Sequence, residues 1–358
     1  MNIPDTILKK LENHSRLSVD DAEFLYENAD LSELAVYADT FKRKLNSDLV
    51  YFINNYHIEP TNVCVYQCRF CSFSAREGIT AWSKSVEEIL EEVRSLDESI
   101  TELHIVGGSN PQYDLKFYSQ LLRQIKETKP NIHIKAFTAA EVSYFAQLSK
   151  TSSAEVIREL KASGLDSMPG GGAEIFNETV RNQICPDKIS GQRWLEIHEE
   201  AHQEGLTTNA TMLFGHLETI RHRIEHMELL RSLQDKTRGF QAFIPLKFRN
   251  SNNQLSNIKE SGATDDLKLF ALSRLFLDNI NHIKIYWPAF GKNFASLALG
   301  FGADDLDGTI LNSTKIYSMA GAEDQHPEMT VTEAIHLIKS CGFQAVLRDS
   351  KYNILMRY

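Results

Sequence analysis

The sequence lacks any apolar run approaching the roughly 18 residues that a membrane span requires. Its first residues, MNIPDTILKKLENHSRLS, also lack the long apolar core and the small-residue cleavage site of a secretory signal. These two absences argue against a membrane protein and against a secreted one. We therefore expect a cytoplasmic protein with no membrane partner.

An excess of positive charge is also missing. The chain has 38 Lys and Arg against 48 Asp and Glu, which gives a formal net charge of −10. A surface this acidic repels the phosphate backbone, so nucleic acid is not expected as a partner. A local basic pocket for a small anion stays compatible with this overall charge.

Cysteine is scarce and unevenly distributed. Only five cysteines occur in 358 residues; three of them fall between positions 64 and 71, and Cys185 and Cys341 are isolated. In a reducing compartment, clustered cysteines indicate metal binding rather than disulfides. We interpret the two isolated cysteines as structural.

Short apolar, β-branched segments alternate with longer amphipathic segments from about residue 50 onward. The candidate strands are 57–60, 102–108, 132–138, 165–172, 207–215, 240–246, 282–288 and a weak one at 303–307. Repeated βα units favour a parallel sheet, and eight of them favour a closed (β/α)8 barrel of the TIM type. A doubly wound open sheet is the alternative α/β fold.

Two further segments flank this predicted barrel. Residues 1–48 have the pattern of a helical extension, in which Ser18 is followed three residues later by Asp21 as in a capped helix. Residues 330–358 have the pattern of a capped helix and a closing β-pair, QAVLRD and NILMRY. The predicted division is therefore an extension over 1–48, a barrel over 49–329 and a C-terminal unit over 330–358.

The segment YHIEPTNVCVYQCRFCSFS contains the three clustered cysteines, Cys64, Cys68 and Cys71. Thiolates spaced Cys-x3-Cys-x2-Cys on one loop can hold three corners of a four-iron four-sulfur cluster. The fourth iron then has no protein ligand, and the amino and carboxylate groups of S-adenosylmethionine can chelate it. The loop follows the first predicted barrel strand, so it lies at the face where barrel active sites are built.

Two alternatives to the cluster stay open at this point. The cysteines could belong to a zinc site, although structural zinc takes four ligands and the nearest spare candidate, His57, precedes the loop at an unusual spacing. The protein would then be a zinc-stabilised binding protein rather than an enzyme. The three cysteines could also be unrelated buried thiols.

Several residues near the predicted strand ends are candidates for cofactor binding. Phe70 lies between two of the cysteines and could pack against an adenine ring, or it could be an ordinary core aromatic. Glu141 follows the third strand and is a candidate for ribose hydroxyls, or a solvated loop acid. The glycines at 170–172 indicate close backbone approach to a ligand, or a turn.

Other polar residues are candidates for the chemistry and for the substrate. His216 and Glu218 follow the fifth strand and could move a proton or orient water. Carboxylate anchors, each of which could equally form a surface ion pair, are Arg181, Lys247 and Arg249. The acidic residues that could cap a helix near the last strand are Asp304, Asp305 and Asp307.

The cysteine segment resembles the radical S-adenosylmethionine superfamily, whose pattern Cys-x3-Cys-x-aromatic-Cys is matched by Cys64, Cys68, Phe70 and Cys71. This resemblance implies a four-iron four-sulfur cluster, reductive cleavage of S-adenosylmethionine to a 5′-deoxyadenosyl radical, and a single-electron reductase such as flavodoxin or ferredoxin as partner.

Many members of the superfamily have Gly-Gly-Glu after the second strand, where this chain has Gly107, Gly108 and Ser109. The resemblance implies that the backbone of these glycines still meets the amino group of the cofactor. A direct role for the Ser109 side chain does not follow from it.

Further motifs resemble one branch of the superfamily, which acts in futalosine-dependent menaquinone synthesis and in deazaflavin synthesis. They are HIEPTNVC, CSFS, GGSNP, GGGAEIF, RNQICPDK, TMLFGHLE and IPLKF. The Pro-Thr-Asn before Cys64 and the Ser-Phe-Ser around Cys71 are most similar to members that form aminofutalosine. That similarity implies addition of the adenosyl radical to 3-[(1-carboxyvinyl)oxy]benzoate, with rearrangement and decarboxylation. The alternative is the sister cyclase, which acts by hydrogen abstraction.

Overall fold

The computed structural model describes residues 3–312 and 314–358. Its strands are β1 (Leu49–Ile53), β2 (Asn55–Ile58), β3 (Glu102–Ile105), β4 (His133–Ala136), β5 (Ser167–Met168), β6 (Thr207–Phe214), β7 (Phe240–Lys247), β8 (His282–Ile283), β9 (Asp305–Gly308), β10 (Gln344–Arg348) and β11 (Ile354–Arg357). Its helices are α1 (Asp5–Glu12), α2 (Val19–Asn28), α3 (Leu31–Asn46), α4 (Val86–Arg94), α5 (Leu115–Thr128), α6 (Ala139–Ser149), α7 (Ser153–Ala162), α8 (Glu178–Ile184), α9 (Gly191–Gln203), α10 (Ile220–Thr237), α11 (Ala263–Phe276), α12 (Trp287–Phe290), α13 (Lys292–Leu299), α14 (Lys315–Met319) and α15 (Val331–Ser340).

The main sheet contains seven parallel strands in the order β2-β3-β4-β5-β6-β7-β8. Helices connect consecutive strands, so the architecture is the α/β alternation that the sequence predicts. All carboxyl ends of these strands meet at one edge of the sheet, because parallel strands share one direction. The loops after β2, β3, β5 and β7 therefore converge there.

The eighth predicted strand differs from the prediction. β9 joins a second sheet. Isolated parallel bridges connect this part of the chain to the main sheet: Asp305 of β9 pairs with Lys284, and Leu311, three residues after β9, pairs with Tyr56. Asp307 and Ile310 have positive φ angles of 67° and 53°, and these interrupt the extended backbone that a continuous ladder needs. The sheet curls so that both of its edges meet this irregular segment, but its ladder has seven strands rather than eight.

The second sheet has the order β11-β10-β1-β9. Its strand β1 was missed by the sequence analysis, which placed the first strand at 57–60. β10 and β11 form the predicted C-terminal β-pair, which is antiparallel with Val346 opposite Arg357. β1 runs parallel to β10 and connects this pair to the rest of the fold. The three-part division of the chain stays a prediction.

The N-terminal helices cover the outside of the barrel helices. The side chain of Ser18 accepts a hydrogen bond from the Asp21 backbone, and Asp21 caps the Ser18 backbone in return, as predicted. α2 packs on α10, and α3 packs on α11. None of the helices in the described residues is long and apolar enough to span a membrane.

Asp304 was predicted to cap a helix. Its side chain instead forms hydrogen bonds with the N-terminal extension, a barrel helix and a barrel strand. Its Oδ1 accepts hydrogen bonds from the Arg274 guanidinium at 2.5 Å and from the Ile283 backbone at 2.8 Å. Its Oδ2 accepts from Asn46 at 2.8 Å and pairs with His282 at 2.7 Å. Asp305 and Asp307 likewise pair with buried cations rather than with a helix terminus. The helix-cap interpretation of these residues is therefore wrong.

Replacing Asp304 by Ala is expected to lower the free energy of unfolding by roughly 3–5 kcal/mol, because the fully buried Arg274 loses its counter-charge. Chemical denaturation followed by circular dichroism measures the change. Glu87→Ala is the matched control, since Glu87 and Arg94 form an ion pair that is largely exposed. An equal effect of both substitutions would contradict the buried role of Asp304.

Candidate active site

The loop that carries the cysteines is fixed by two buried polar side chains just before Cys64. Asn62 accepts a hydrogen bond from the Trp82 backbone at 2.8 Å and donates to the Thr80 carbonyl at 2.9 Å. Thr61 donates to the Trp82 carbonyl at 2.9 Å. Both side chains are fully buried. The Pro-Thr-Asn sequence thus holds the start of the loop against the segment around Trp82.

The three cysteines suit an iron–sulfur cluster. Backbone amides donate to two of the sulfurs, from Ser109 to Cys64 Sγ and from Ser74 to Cys71 Sγ, each at 3.4 Å. Such N–H···S bonds stabilise cluster thiolates and tune the cluster. Burial raises the pKa of the Cys64 and Cys68 thiols, so iron binding has to displace their protons.

A single zinc ion fits this arrangement less well. Within the ranges that the structure describes, no three or more His, Cys, Asp or Glu side chains lie close enough together to share one ion. A zinc site holds its thiolates about 2.3 Å from one centre. His57, the spare ligand of the zinc alternative, instead faces His104 across 4.7 Å between ring centroids.

The loop after β3 lies directly against the cysteine loop. A Cβ atom on Gly108 would overlap the Val63 carbonyl oxygen and lie 3.0 Å from Cys64 Cβ, and one on Gly107 would lie 2.8 Å from the Thr61 carbonyl oxygen. The Gly108 amide also donates to Thr61 at 2.8 Å. These contacts require glycine at both positions. Binding of the cofactor amino group there stays a prediction.

A cavity of about 300 Å³ leads from the cysteine loop into the barrel. Near the cysteine loop it is lined by Phe70, Cys71, Gly107 and the glycines at 170–172. Its wall is mainly apolar and comprises Val106, Leu213, Ile244, Leu246 and Phe248. A largely apolar cleft or cavity with a few polar groups is the usual form of a small-molecule site.

The cavity lining includes six titratable side chains that lie on the strands or directly beside them, and we call these six the interior cluster. They are His57, Glu102, His104, Lys135, Lys284 and Asp307. Lys135 pairs with Glu102 at 2.6 Å, and Lys284 pairs with Asp307 at 2.8 Å. The cluster therefore contains two buried ion pairs beside two histidines.

Burial sets the protonation of these groups. It lowers the pKa of His57 to about 4 and the pKa of His104 well below its ordinary value, so both rings are neutral near pH 7. Burial by itself would raise the pKa of Glu102, but the adjacent Lys135 ammonium holds that pKa well below its usual range. The Glu102 carboxylate consequently stays charged.

The predicted site residues that line the cavity are Phe70, Cys71, Gly107, the glycines at 170–172, Lys247 and Arg249. The Lys247 ammonium is also bonded to Asp266 at 2.7 Å. The Arg249 guanidinium donates to the Gly321 carbonyl at 2.9 Å. Both cations face the cavity while they are positioned by the protein, and their contact with a substrate stays a prediction.

Arg181 does not reach the cavity. Its guanidinium is 1% exposed and donates to the backbone carbonyls of Gly172, Ala173 and Ile189 at 2.9, 2.5 and 2.8 Å. Its hydrogen bonds therefore stabilise the glycine loop from behind. This geometry gives no support to the predicted role as a carboxylate anchor.

His216 and Glu218 also lie outside the cavity lining. Glu218 accepts hydrogen bonds from the Gly215 and His216 backbones at 2.6 and 2.9 Å and pairs with Arg223 at 2.7 Å. His216 Nε2 bonds the Leu213 carbonyl at 3.1 Å. Burial lowers the pKa of His216. Both side chains stabilise the turn after β6, and nothing in this geometry supports a proton-transfer role.

Glu141 lies at the start of α6, where its carboxylate accepts hydrogen bonds from the Thr138 backbone and hydroxyl, each at 2.8 Å. It is buried, and burial raises its pKa. Thr138 lines the cavity and Glu141 lies behind it. Its predicted contact with ribose hydroxyls stays a prediction.

Two residues of the cavity were not singled out from the sequence. Lys188 pairs with Glu174 at 2.6 Å, and its ammonium lies 5.5 Å from the centre of the Phe70 ring. Glu174 has a positive φ of 49°, which is unusual for a residue other than glycine and concentrates at functional sites. Glu174 lies in the motif GGGAEIF and Lys188 in the motif RNQICPDK. These two motifs were the signal from which the residues could have been predicted.

The interior cluster was not predicted as a group, since His57 was named only as a spare zinc ligand and Asp307 only as a helix cap. The signal was the presence of charged or histidine residues two positions apart within the apolar strand segments HIEP, ELHI, IHIKAFT and HIKIYWP. Inward-facing positions alternate along barrel strands. Polar residues at those positions point into the barrel rather than to solvent.

Comparisons with known proteins agree with this site. The chain matches the family model of the Radical SAM superfamily over residues 58–230 and that of the CofH/MqnC C-terminal region over residues 237–357. It belongs to the radical S-adenosylmethionine superfamily, whose enzymes use a four-iron four-sulfur cluster and S-adenosylmethionine. The resemblance seen in the cysteine motif is thereby confirmed.

Curated relatives place the chain within one branch. It is 40% identical to aminodeoxyfutalosine synthase of Thermus thermophilus over 97% of this chain and 94% of that protein. It is 38% identical to aminodeoxyfutalosine synthase of Streptomyces coelicolor over 98% of this chain and 93% of that protein. Cyclic dehypoxanthine futalosine synthase of Streptomyces coelicolor is 36% identical, over 98% of this chain and 88% of that protein.

Among solved structures, the crystal structure of methylornithine synthase superposes with a TM-score of 0.76 at 16% identity. The match covers 94% of this chain and 96% of that one. At this identity the similarity concerns the fold alone. It confirms the curled parallel α/β architecture.

Gly108→Ala is expected to reduce the iron and sulfide bound per chain, because the added methyl group forces the loop after β3 away from Cys64. Overpacking of this kind also costs roughly 1–3 kcal/mol of stability. Metal analysis and paramagnetic resonance after anaerobic reconstitution measure the loss. Gly262→Ala is the control, since a Cβ at Gly262 meets nothing within 4 Å. Full cluster content in Gly108→Ala would refute the packing argument.

The stability of the cluster-free chain is expected to fall as pH decreases from about 6.5 to 4. The pKa of His57, His133 and His202 is lowered to about 4 in the fold. The unfolded chain therefore binds more protons than the folded chain in this pH window. Each of these histidines thereby lowers the free energy of unfolding by up to roughly 3 kcal/mol as the pH falls. Denaturation at several pH values measures the slope. His57→Gln should reduce the slope; identical slopes in the wild type and His57→Gln would contradict the neutral state of His57.

Proposed function

We propose that this protein catalyses the aminofutalosine synthase reaction. In this reaction the adenosyl group of S-adenosylmethionine joins the vinyl carbon of 3-[(1-carboxyvinyl)oxy]benzoate, with rearrangement and loss of a carboxyl group. The observation that carries the proposal is the near full-length similarity to two aminodeoxyfutalosine synthases, at 40% and 38% identity. The cavity beside the cysteine loop supports it independently.

On the cofactor side, Cys64, Cys68 and Cys71 would hold the cluster, and Ser109 and Ser74 would donate their amides to its thiolates. When bound, the cluster and S-adenosylmethionine supply the adenosyl radical. Phe70 lines the cavity beside Cys71, where its ring would pack against the adenine. Gly107 and Gly108 leave room for the cofactor amino group because neither carries a side chain.

On the substrate side, the cavity wall formed by Leu213, Ile244 and Leu246 offers an apolar surface for a flat aromatic ring. Lys247 and Arg249 line the cavity and would donate hydrogen bonds to a carboxylate, while Asp266 and Glu260 balance their charges. The apolar wall would also keep water away from a bound reactive intermediate. The protein residues would therefore orient both reactants rather than exchange protons with them.

A single-electron reductase such as flavodoxin or ferredoxin is the expected electron donor, because cleavage of the cofactor consumes one electron. A cytoplasmic location fits this partner and the reduced thiols that the cluster needs. The reductase partner and the cytoplasmic location are both parts of the proposal.

The second candidate is the cyclase reaction of the same branch, in which the radical abstracts hydrogen from a bound nucleoside. Similarity to cyclic dehypoxanthine futalosine synthase favours it, but at 36% identity and over 88% of that protein the match is weaker. The Pro-Thr-Asn motif, whose Thr61 and Asn62 fix the cysteine loop, is also more similar to the synthases.

Product analysis tests the proposal. The reconstituted protein is incubated without oxygen with reductant, the enol ether and S-adenosylmethionine labelled with carbon-13 in its adenosyl group. We expect the label in a coupled product, with less 5′-deoxyadenosine than product. Cys71→Ala should abolish the product, and Cys341→Ala, which changes a cysteine outside the loop, should not. Formation of 5′-deoxyadenosine in step with a cyclised nucleoside would establish the cyclase reaction instead.

A further inference from the structure

The geometry points to the interior cluster as a subsite for a carboxylate on an aromatic ring, with His57 and His104 as hydrogen-bond donors to it. The inference rests on the proposed function and adds the orientation of the substrate. The ring carboxylate would lie among the strands, and the vinyl group would face the cysteine loop.

The first observation is that His57 and His104 have buried ring nitrogens without a hydrogen-bond partner. His57 is 1% exposed, and both of its ring nitrogens are buried without a hydrogen-bond partner. Nε2 of His104 is buried without a partner as well. A buried polar group without a partner costs roughly 1–3 kcal/mol. Both rings line the cavity, so a polar group of a bound ligand can satisfy them.

The balance of donors and acceptors determines what kind of group fits. Lys135 and Lys284 each donate to one carboxylate, in Glu102 and Asp307 respectively. An ammonium has three N–H donors and a neutral imidazole has one. The cluster therefore has spare donors around the two rings, while its two ion pairs cancel in charge. A carboxylate, which only accepts hydrogen bonds, matches such a site better than a cation does.

The chemistry of the proposed substrate determines which carboxylate enters. One carboxylate is attached to the vinyl group, which has to meet the adenosyl carbon beside Phe70 and Cys71. The other carboxylate is attached to the ring, away from the reacting carbon. Leu213 and Ile244 belong to the apolar wall of the same cavity, against which the ring would pack. The ring carboxylate is therefore the one that reaches His57 and His104.

Binding measurements on the oxidised holoenzyme test this inference, since no turnover occurs without reductant. Calorimetry in the presence of S-adenosylmethionine compares two ligands: 3-[(1-carboxyvinyl)oxy]benzoate and 2-phenoxyacrylate, which lacks the ring carboxylate. The wild type should bind the first roughly tenfold to a hundredfold more tightly. Equal affinities would overturn the inference without any variant.

Variants locate the interaction. In His57→Phe and His104→Phe, most of the difference in affinity between the two ligands should disappear. The reason is that these variants should bind 3-[(1-carboxyvinyl)oxy]benzoate more weakly and 2-phenoxyacrylate as tightly as before. His57→Gln retains an N–H donor and should restore part of the difference. The exposed His336→Gln is the control and should behave as the wild type. A variant that weakens both ligands equally would show a merely structural role and would overturn the inference.

The outcomes separate the inference from the proposed function. If the wild type converts the enol ether but binds the ligands with and without the ring carboxylate equally tightly, the inference fails and the proposed function stands. If the wild type neither binds nor converts the enol ether, the proposed function fails, and the inference fails with it.

Discussion

Close backbone contact between two loops at the carboxyl edge of the sheet is the constraint on which the site depends. The loop after β3 approaches the cysteine loop so closely that Gly107 and Gly108 admit no side chain. That contact directs the Ser109 amide to the Cys64 sulfur. The cysteines are thus positioned by main-chain packing, which is stiffer than contacts between flexible side chains, before any cluster binds.

The charge distribution of the cavity follows from burial. Two ion pairs and two neutral histidines occupy the inside of a protein that carries a net charge of −10. Buried charges are tolerated only when each has a partner, and Lys135 with Glu102 and Lys284 with Asp307 meet this condition. The interior is therefore polar without net charge. It can accept an anionic ligand that the outer surface would repel.

Much of the fold was predictable because its signals are local. Capping residues such as Ser18 and Ser85 mark helix starts, and β-branched segments between amphipathic helices mark the parallel strands. β1 was missed because its buried run, LVYFI, has no polar alternation and lies one residue before β2. The last predicted strand, 303–307, overlaps β9 but pairs in the second sheet, because positive φ angles at Asp307 and Ile310 interrupt the extended backbone and sequence patterns do not reveal such angles.

The sequence by itself determined the cysteine motif, because its three ligands lie within eight consecutive residues and their spacing specifies the cluster. It also determined the α/β alternation, which depends on contacts within each segment. Only the tertiary structure decided which distant side chains share the cavity. Arg181, His216 and Glu218 lie outside the cavity lining, whereas His57, His104 and Lys188 line it. The physical reason is that residues far apart in the sequence come together through the curvature of the sheet, and this curvature cannot be predicted from any short segment of the sequence.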